Sequence, residues 1–317
     1  MRIVFCGSPE FAVPSLERLI ESQHQVVAVV TQPDRPAGRG LKMTPPPVKQ
    51  VALTKALPVF QPEKFNTNEF LSTLEAMEPD VIVVVAYGKI FRKRSLQIPK
   101  LGCINLHASL LPKYRGIAPV NWAIINGEKT TGVTTILMDE GVDTGDIILS
   151  KEVWIGEDET AGELLERLAR IGADLLLETC DLVASGNYER RKQDDKLASY
   201  APKLTRNDGL IKWARAAQEV HNRIRGVTPW PGAFARFKGR EIKILKSSLG
   251  DGSGEPGRIL EIDEERGILV SCLEGSVWLK LVQAPGRRPI SGAEFARGYR
   301  VRHGDFLENG VCEEEKG

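Results

Sequence analysis

Two polar side chains that could polarise a carbonyl group stand in an otherwise apolar stretch of the sequence. Residues 103–109 read Cys-Ile-Asn-Leu-His-Ala-Ser, so that apolar and polar residues alternate. Because the side chains of a β-strand point alternately to its two faces, we expect Asn105 and His107 to point the same way. An amide can donate to a developing oxyanion, and an imidazole can donate or move a proton. The pair is therefore suited to chemistry at a carbonyl group.

The strand alone is equally compatible with a structural interpretation, in which a buried Asn and His satisfy each other and the backbone. The residues that follow favour a functional one. The segment Ser109-Leu-Leu-Pro-Lys-Tyr-Arg-Gly116 leaves the strand at once and contains Pro, Gly and basic residues. This composition is typical of a loop that lies over a ligand.

A second segment, residues 139–146, is rich in glycine and carboxylates and reads Asp-Glu-Gly-Val-Asp-Thr-Gly-Asp. A carboxylate placed against His107 would orient the imidazole and favour its protonated form. A calcium-binding loop is the competing interpretation, but the spacing does not match the EF-hand pattern, and we predict no metal. Spacing alone does not choose among the four carboxylates, which are Asp139, Glu140, Asp143 and Asp146.

The elements that must position these residues are those of an α/β protein. In the first part of the chain, short β-branched runs alternate with helical patterns, which predicts a doubly wound, mostly parallel, Rossmann-like sheet. The run from Asp80 to Tyr87 is apolar on both faces, as expected for a central parallel strand covered by helices. Polar side chains on such a sheet usually mark the crevice at the carboxyl ends of its strands.

The 317 residues exceed what one hydrophobic core usually serves, and the texture changes after residue 187. We predict a catalytic domain over residues 1–187, a polar linker over 188–205 and a smaller C-terminal domain over 206–317. In this last part a helix from Leu210 to Arg225 is followed, beyond Trp230, by short strands separated by glycine turns. That pattern predicts a small β-barrel of the OB-like type.

Bulk composition narrows the class of protein. Hydrophobic residues make up 42% and charged residues 27% of the chain, as in ordinary globular proteins, and the net charge is +1. Five cysteines without a CxxC pair indicate a reduced, cytoplasmic protein without structural zinc. We recognise neither a targeting segment nor an apolar run of roughly 20 residues. We therefore expect a cytoplasmic protein without membrane contact.

The combined pattern N-x-H-x-S-L-L-P-x-x-x-G, from Asn105 to Gly116, followed by a V-D-x-G turn, resembles the folate-dependent formyltransferases. The resemblance implies that Asn105, His107 and Asp143 are the catalytic residues and that 10-formyltetrahydrofolate is the formyl donor. One departure is Ala108, where several relatives have Gly, but this side chain should face away from the site. The residues that the resemblance assigns to the folate site are Ser109, Leu110, Leu111 and Pro112.

Two further features resemble the members of this family that act on initiator methionyl-tRNA. One is the loop Thr31-Gln-Pro-Asp-Arg-Pro-Ala-Gly-Arg-Gly40 with the Pro-Pro-Pro-Val-Lys that follows it, and the other is Trp230-Pro-Gly232 with the barrel behind it. Basic side chains of this loop would bind acceptor-stem phosphates, and Arg39, between two glycines, could reach base edges. Without the resemblance, a solvated surface loop is the simpler interpretation. The residues expected to contact tRNA are Arg35, Arg39 and Lys42.

The function that the resemblance implies is transfer of the formyl group to the α-amino group of methionine on initiator Met-tRNA, for translation initiation. The barrel would then bind tRNA, and we expect a monomer. One alternative is the same chemistry on an amino-sugar nucleotide, against which the basic loop argues. Another is a non-catalytic RNA-binding relative, against which the intact set of Asn105, His107 and Asp143 argues.

Overall fold

The computed structural model describes residues 1–37, 40 and 42–310. The chain divides into two compact units. Unit 1 comprises residues 1–116, 132–153 and 165–201. Unit 2 comprises residues 117–131, 154–164 and the chain from 202 onward.

The strands of the described residues are numbered in chain order: β1 (Arg2–Gly7), β2 (Gln25–Val30), β3 (Arg35–Ala37), β4 (Lys42–Thr44), β5 (Val59–Phe60), β6 (Val81–Val85), β7 (Cys103–His107), β8 (Arg115–Gly116), β9 (Thr130–Leu137), β10 (Asp146–Trp154), β11 (Tyr200–Ala201), β12 (Ala233–Phe237), β13 (Arg240–Gly250), β14 (Ile259–Asp263), β15 (Gly267–Ser271), β16 (Ser276–Gln283), β17 (Ile290–Ser291) and β18 (Leu307–Glu308).

The α-helices are α1 (Val13–Ile20), α2 (Pro47–Thr54), α3 (Asn68–Ala76), α4 (Lys93–Gln97), α5 (Pro119–Ile125), α6 (Ala161–Ser185), α7 (Ala217–Gly226) and α8 (Gly292–Tyr299). Short 3-10 helices cover Glu10–Ala12, Asp195–Leu197 and Arg206–Gly209.

The sheet of unit 1 has the strand order β10-β9-β7-β6-β1-β2-β5. Strand β1 pairs in parallel with β2 and β6, β2 pairs in parallel with β5, and β6 pairs in parallel with β7. Strand β9 runs antiparallel to β7. All five residues of β6 are buried, as expected for a central strand with both faces covered. The predicted doubly wound, mostly parallel sheet is confirmed.

Strand β7 lies inside this sheet, between β9 and β6, and its apolar face is covered. Ile104 and Leu106 are buried, and a Cβ added at Gly172 in α6 would lie 2.8 Å from Leu106 Cδ2. Because glycine lets α6 approach this closely, the helix covers one face of β7. The polar residues of the strand, Asn105 and His107, belong to the other face.

Unit 2 contains a curled antiparallel sheet with the order β14-β15-β16-β13-β12-β18, and β17 pairs with β16. Its two edges meet, because Leu307 N–H donates to Gly257 O at 2.8 Å and Ile259 N–H donates to Asp305 O at 2.8 Å. Apolar residues from all these strands form one buried cluster with Trp213. The predicted series of short barrel strands is confirmed.

The helix predicted from Leu210 to Arg225 is wrong in its first half, because α7 begins only at Ala217. The residues before it form bends and two isolated backbone bridges, Leu210 with Phe234 and Ala216 with Glu274. Ile211 N–H donates to Phe234 O at 3.0 Å. Tertiary pairing with the barrel thus overrides local helical spacing.

The segment after α6 packs within unit 1. Arg191 and Ile147 exchange two backbone hydrogen bonds of 2.9 and 2.8 Å, and β11 pairs in parallel with β8. The domain boundaries at residues 187 and 205 stay a prediction. In the described part of the chain, no helix combines the length and apolar character needed to cross a membrane.

Candidate active site

The carboxylate of Asp143 meets both polar side chains of β7. Asp143 Oδ1 accepts a hydrogen bond from Asn105 Nδ2 at 3.2 Å, and Oδ2 lies 3.5 Å from His107 Nδ1. Oδ2 also accepts from the backbone N–H of Gly116 at 2.9 Å. The structure therefore brings together the three residues for which the sequence predicts a catalytic role.

The other carboxylates of the 139–146 segment have different surroundings. Asp139 Oδ1 accepts from Gly141 N–H at 3.0 Å and from Thr144 Oγ1 at 2.6 Å, so it folds the turn on itself. Glu140 is exposed, and Asp146 is the first residue of β10. Of the four candidates that spacing left open, the observed contact with His107 belongs to Asp143.

The imidazole of His107 is only 6% exposed and has partners on both nitrogens. Nε2 lies 2.9 Å from the carbonyl oxygen of Tyr114. Because a carbonyl oxygen only accepts, we assign a hydrogen to Nε2. Nδ1 then faces the carboxylate of Asp143, and an N–H at Nδ1 exists together with that at Nε2 only in the imidazolium form. The Tyr114 carbonyl and the Asp143 carboxylate are thus the groups that face the two ring nitrogens.

Two residues that surround His107 have left-handed backbone. Tyr114 has φ +59° and Asp143 has φ +55°. This region costs a non-glycine residue about 1 kcal/mol or more, so the surrounding contacts must hold both residues there. With this backbone conformation, the Tyr114 carbonyl and the Asp143 carboxylate both face the imidazole of His107.

The backbone after β7 is fixed by a side chain of β9. Thr134 Oγ1 donates to Ser109 O at 2.6 Å and accepts from Leu111 N–H at 3.2 Å. Ser109 Oγ donates to Lys113 O at 2.6 Å. The loop for which the sequence predicts folate contacts is thus ordered by two hydrogen bonds with Thr134 and by one of its own.

The side chains of this loop divide into two groups. Leu111 is buried in a small cluster with Ile136 and Ile147. Leu110 and Pro112 are half-buried. Side-chain contact with a ligand at this loop would therefore come from Leu110 and Pro112. Leu111 instead anchors the loop by packing against Ile136 and Ile147.

The sequence analysis missed two buried residues next to this site. Gln193 Nε2 donates to Asp143 O at 2.8 Å and to Gly145 O at 2.7 Å. Gln193 Oε1 accepts from Arg115 Nε at 3.2 Å and Nη2 at 2.8 Å. Gln193 lies in the polar segment predicted as a linker, 50 residues after Asp143, and no local pattern could have identified it.

The basic loop is described in part. Arg35 in β3 and Lys42 in β4 are exposed, and these strands pair as an antiparallel hairpin. Arg39 lies outside the described residues. Lys49 Nζ lies 2.8 Å from both carboxylate oxygens of Asp34, and hydrogen bonds from Lys49 and Gln61 lower the pKa of Asp34. The carboxylate of the loop is therefore neutralised by Lys49.

Cysteine thiols and clusters of metal-binding side chains are two other kinds of group that carry chemistry in proteins. Burial raises the pKa of the Cys103, Cys180 and Cys272 thiols to about 12, and it raises that of Cys6 well above its usual value. These thiols therefore stay protonated and make poor nucleophiles. Over residues 1–37, 40 and 42–310, no group of three or more His, Cys, Asp or Glu side chains could hold a metal ion.

Comparison with known families and proteins gives full-length matches. The family model described as formyl transferase matches residues 1–180, and that described as formyl transferase, C-terminal domain, matches residues 203–300. A methionyl-tRNA formyltransferase of Geobacter sulfurreducens is 49% identical over 97% of this chain and 96% of that protein. One from Acetivibrio thermocellus is 47% identical over 97% of this chain and 99% of that protein.

Solved structures of more distant proteins share the fold. A sugar 3N-formyl transferase, solved in the presence of dTDP and 5-N-formyl-THF, gives a TM-score of 0.67 at 20% identity and covers 91% of this chain and 99% of its own. HypX from Aquifex aeolicus, in complex with tetrahydrofolic acid, gives 0.63 at 17% identity over 99% of this chain and 52% of its own. At these identities the likeness concerns the fold.

Proposed function

This chain belongs to the formyl transferase family, and we propose that it transfers the formyl group of 10-formyltetrahydrofolate to the α-amino group of methionine on initiator Met-tRNA. Curated relatives with the name methionyl-tRNA formyltransferase are 46–49% identical over nearly the whole chain. The reaction serves translation initiation and takes place in the cytoplasm. The observation that carries the proposal is the contact of Asp143 with Asn105 and His107.

The reaction exchanges one carbon–nitrogen bond for another. The amine nitrogen of methionine attacks the formyl carbon and forms a tetrahedral oxyanion, and the bond from that carbon to N10 of the folate then breaks. The proton lost by the amine balances the one that N10 gains as tetrahydrofolate leaves. Catalysis therefore needs donors for the oxyanion and a group that accepts the amine proton.

Asn105 and His107 supply the donors. Asn105 Nδ2 gives one hydrogen to Asp143 and keeps the other for the oxyanion. The 3.5 Å between His107 Nδ1 and Asp143 Oδ2 is too long for a direct hydrogen bond, so an N–H at Nδ1 keeps its donor capacity for the reacting oxygen. Both donors are fixed before substrate binds, which makes their electrostatic stabilisation effective.

Asp143 has two roles in this proposal. It is the negative charge beside His107, which the proposal uses in the imidazolium form, the form that donates at both Nδ1 and Nε2. It also accepts or relays the proton of the attacking amine, directly or through water. Its side chain is 14% exposed, so a substrate or a water molecule can reach it.

The folate donor binds beside these residues, at the loop formed by Ser109, Leu110, Leu111 and Pro112. The half-buried side chains of Leu110 and Pro112 offer apolar contact, and the hydrogen bonds of Thr134 fix the loop backbone. A preordered loop of this kind loses little entropy on binding. No metal takes part in the proposed reaction.

The tRNA acceptor binds through the basic loop and the barrel of unit 2. Arg35, Arg39 and Lys42 contact acceptor-stem phosphates, and Arg39 also reaches base edges. The exposed state of Arg35 and Lys42 supports this assignment. Residues 1–187 form the catalytic domain, residues 206–317 form the tRNA-binding domain, and the enzyme acts as a monomer.

An amino-sugar nucleotide is the second candidate acceptor. Two of the structural neighbours are named as formyl transferases of sugars or were solved with an amino sugar nucleotide, but they are 20% and 22% identical to this chain. The relatives with the methionyl-tRNA name are 46–49% identical. The balance therefore favours Met-tRNA.

The acceptor decides between these functions. We would supply 10-formyltetrahydrofolate with a labelled formyl group, together with initiator Met-tRNA or with an amino-sugar nucleotide. We expect label in Met-tRNA and none in the sugar. Label only in the sugar would exclude our proposal, and tRNA binding without any transfer would favour the non-catalytic relative.

A further inference from the structure

A buried amide and a buried guanidinium lie beside the turn that contains Asp143, and the amide contacts the backbone of this turn. Gln193 is 9% exposed and Arg115 is 3% exposed. Gln193 uses both hydrogens of its amide on backbone carbonyls, one of Asp143 itself and one of Gly145. One side chain therefore fixes the backbone on both sides of Thr144, in the turn that presents the Asp143 carboxylate.

The orientation of the Gln193 amide is determined by its partners. Nε2 faces two carbonyl oxygens, and Oε1 faces two nitrogens of Arg115. A flipped amide would place its oxygen against the carbonyl oxygens and its NH2 group against the guanidinium. Because Arg115 cannot accept a hydrogen bond, only one orientation satisfies all partners.

Arg115 connects this network to His107. Its neighbours in the chain are Tyr114, whose carbonyl lies 2.9 Å from His107 Nε2, and Gly116, whose N–H donates to Asp143 Oδ2. The guanidinium also contacts Asp195 Oδ1 at 2.8 Å. Three consecutive residues, 114–116, therefore connect the two parts of the network. Tyr114 and Gly116 contact His107 and Asp143 through their backbone, and Arg115 contacts Gln193 through its side chain.

We propose that Gln193, braced by Arg115, is a positioning residue that holds the Asp143 carboxylate against His107 and Asn105. Left-handed backbone at Asp143, with φ +55°, needs such support, because a residue with a Cβ avoids this region. The inference rests on the proposed role of Asp143 in formyl transfer. Gln193 itself acts through Asp143.

Two variants separate hydrogen-bond donation from packing. Gln193→Glu keeps the shape but places a carboxylate that cannot donate against the two carbonyls, and Gln193→Leu removes the polar group. We expect both to lower kcat about 10- to 100-fold, since misplacement of a catalytic group by about 1 Å has an effect of this size. KM for the folate donor and for Met-tRNA should change less than about threefold. The matched control is Gln97→Leu on the exposed face of α4, which should leave kcat unchanged.

A double-mutant cycle tests whether Gln193 acts through Asp143. In an Asp143→Ala background, Gln193→Glu should lower kcat less than about twofold further, because the group that it positions is already absent. A residue that only stabilises the fold would lower kcat by the same factor in both backgrounds. Equal factors, or wild-type kcat in Gln193→Glu, would overturn the inference.

A measurement without substrate separates this inference from the proposed function. The N–H of Gly116 donates to Asp143 Oδ2, so its hydrogen exchange reports whether the carboxylate is in place. We expect faster exchange at Gly116 in both Gln193 variants and wild-type exchange in Gln97→Leu. If the wild-type chain formylates no Met-tRNA, the proposed function fails while this readout still decides the role of Gln193. Unchanged hydrogen exchange at Gly116 in both Gln193 variants would refute the positioning role of Gln193.

Discussion

At the scale of single residues, the three proposed catalytic groups depend on different physical constraints. Asn105 and His107 share a face because they are two positions apart in a strand, a relation that is local in sequence. Asp143 reaches them from a loop 38 residues after Asn105, with a backbone conformation that asparagine or glycine would adopt more readily. The proposed role of Asp143 at this position depends on its charge.

Removal of that charge gives the first prediction. Asp143→Ala should lower kcat by about 100- to 10,000-fold, the usual range for loss of a group that transfers a proton in the transition state. Binding of tRNA should persist, because the proposed phosphate contacts are in the basic loop and unit 2. Steady-state kinetics and filter binding measure the two effects. Unchanged turnover would remove Asp143 from the mechanism.

At the scale of elements, strand β9 couples the sheet to the proposed folate loop. A Cβ at Gly132 would overlap the carbonyl oxygen of Lys151 in β10 and would lie 2.6 Å from Leu110 Cδ2. The pairing of β9 with β10 therefore requires a residue without a side chain. The same contact places Leu110 against the strand.

Gly132→Ala should lower the free energy of unfolding by about 1–3 kcal/mol, the usual cost of overpacking. It should also raise KM for the folate donor, because Leu110 must move. Gly298→Ala is the matched control, since a Cβ at Gly298 in α8 has no neighbour within 4 Å and alanine is the better helix former. Denaturant unfolding and donor kinetics test both variants. If Gly132→Ala behaved like the control, the close approach of β9 to β10 would be contradicted.

Helix α7 of unit 2 contains a buried histidine that links stability to pH. His221 Nδ1 lies 2.9 Å from Ser247 Oγ, and Nε2 lies 3.0 Å from Glu157 O. Burial lowers the pKa of His221, the charges of Arg225 and Lys280 act in the same direction, and Glu157 and Asp158 oppose them. The folded protein therefore holds this imidazole neutral at pH values where the unfolded chain binds a proton.

His221 should make the protein less stable in acid. The unfolded chain protonates it near about pH 6.5, and the folded chain does so only at lower pH, so stability is lost as pH falls through this window. The slope is at most about 1.4 kcal/mol per pH unit. His221→Gln should reduce the difference in unfolding free energy between about pH 7 and about pH 5. Burial also lowers the pKa of His24. Because His24 is present in both proteins, its contribution to the pH dependence cancels in the comparison. An identical pH dependence would exclude His221 as a contributor.

At the scale of the whole molecule, the proposed division of labour assigns chemistry to unit 1 and tRNA contact to the basic loop and unit 2. A net charge of +1 gives no global attraction for RNA, so the attraction must come from local basic groups. Asp34 is neutralised by Lys49, whereas Arg35 and Lys42 are exposed.

Arg39→Ala should raise KM for Met-tRNA and leave KM for the folate donor unchanged. Each lost phosphate contact should reduce the slope of log affinity against log salt by about one, so Arg35→Ala and Lys42→Ala should each flatten it. Lys93→Ala, an exposed lysine of α4, is the matched control and should leave the slope unchanged. Equal loss of folate and tRNA affinity in Arg39→Ala would contradict this assignment.

The sequence by itself determined the mostly parallel sheet, the short barrel strands and the common face of Asn105 and His107. These features depend on periodicity and side-chain alternation, which are local properties of the chain. Sequence also supplied the family, because the motif from Asn105 to Gly116 is contiguous. The helix predicted over residues 210–216 is wrong, because backbone pairing with the barrel replaces it there.

The family resemblance chose Asp143 among the carboxylates, but only the tertiary structure shows its contact with His107 and what supports it. Spacing left Asp139, Glu140, Asp143 and Asp146 equivalent, and the contacts of the folded chain distinguish them. Gln193 and Arg115 had no signal in the sequence, because an amide and a guanidinium that lie 78 residues apart become partners only when the chain returns past β8. The common face of Asn105 and His107 thus has a local origin in the strand. The charge of Asp143 that faces them and the support from Gln193 depend on long-range packing.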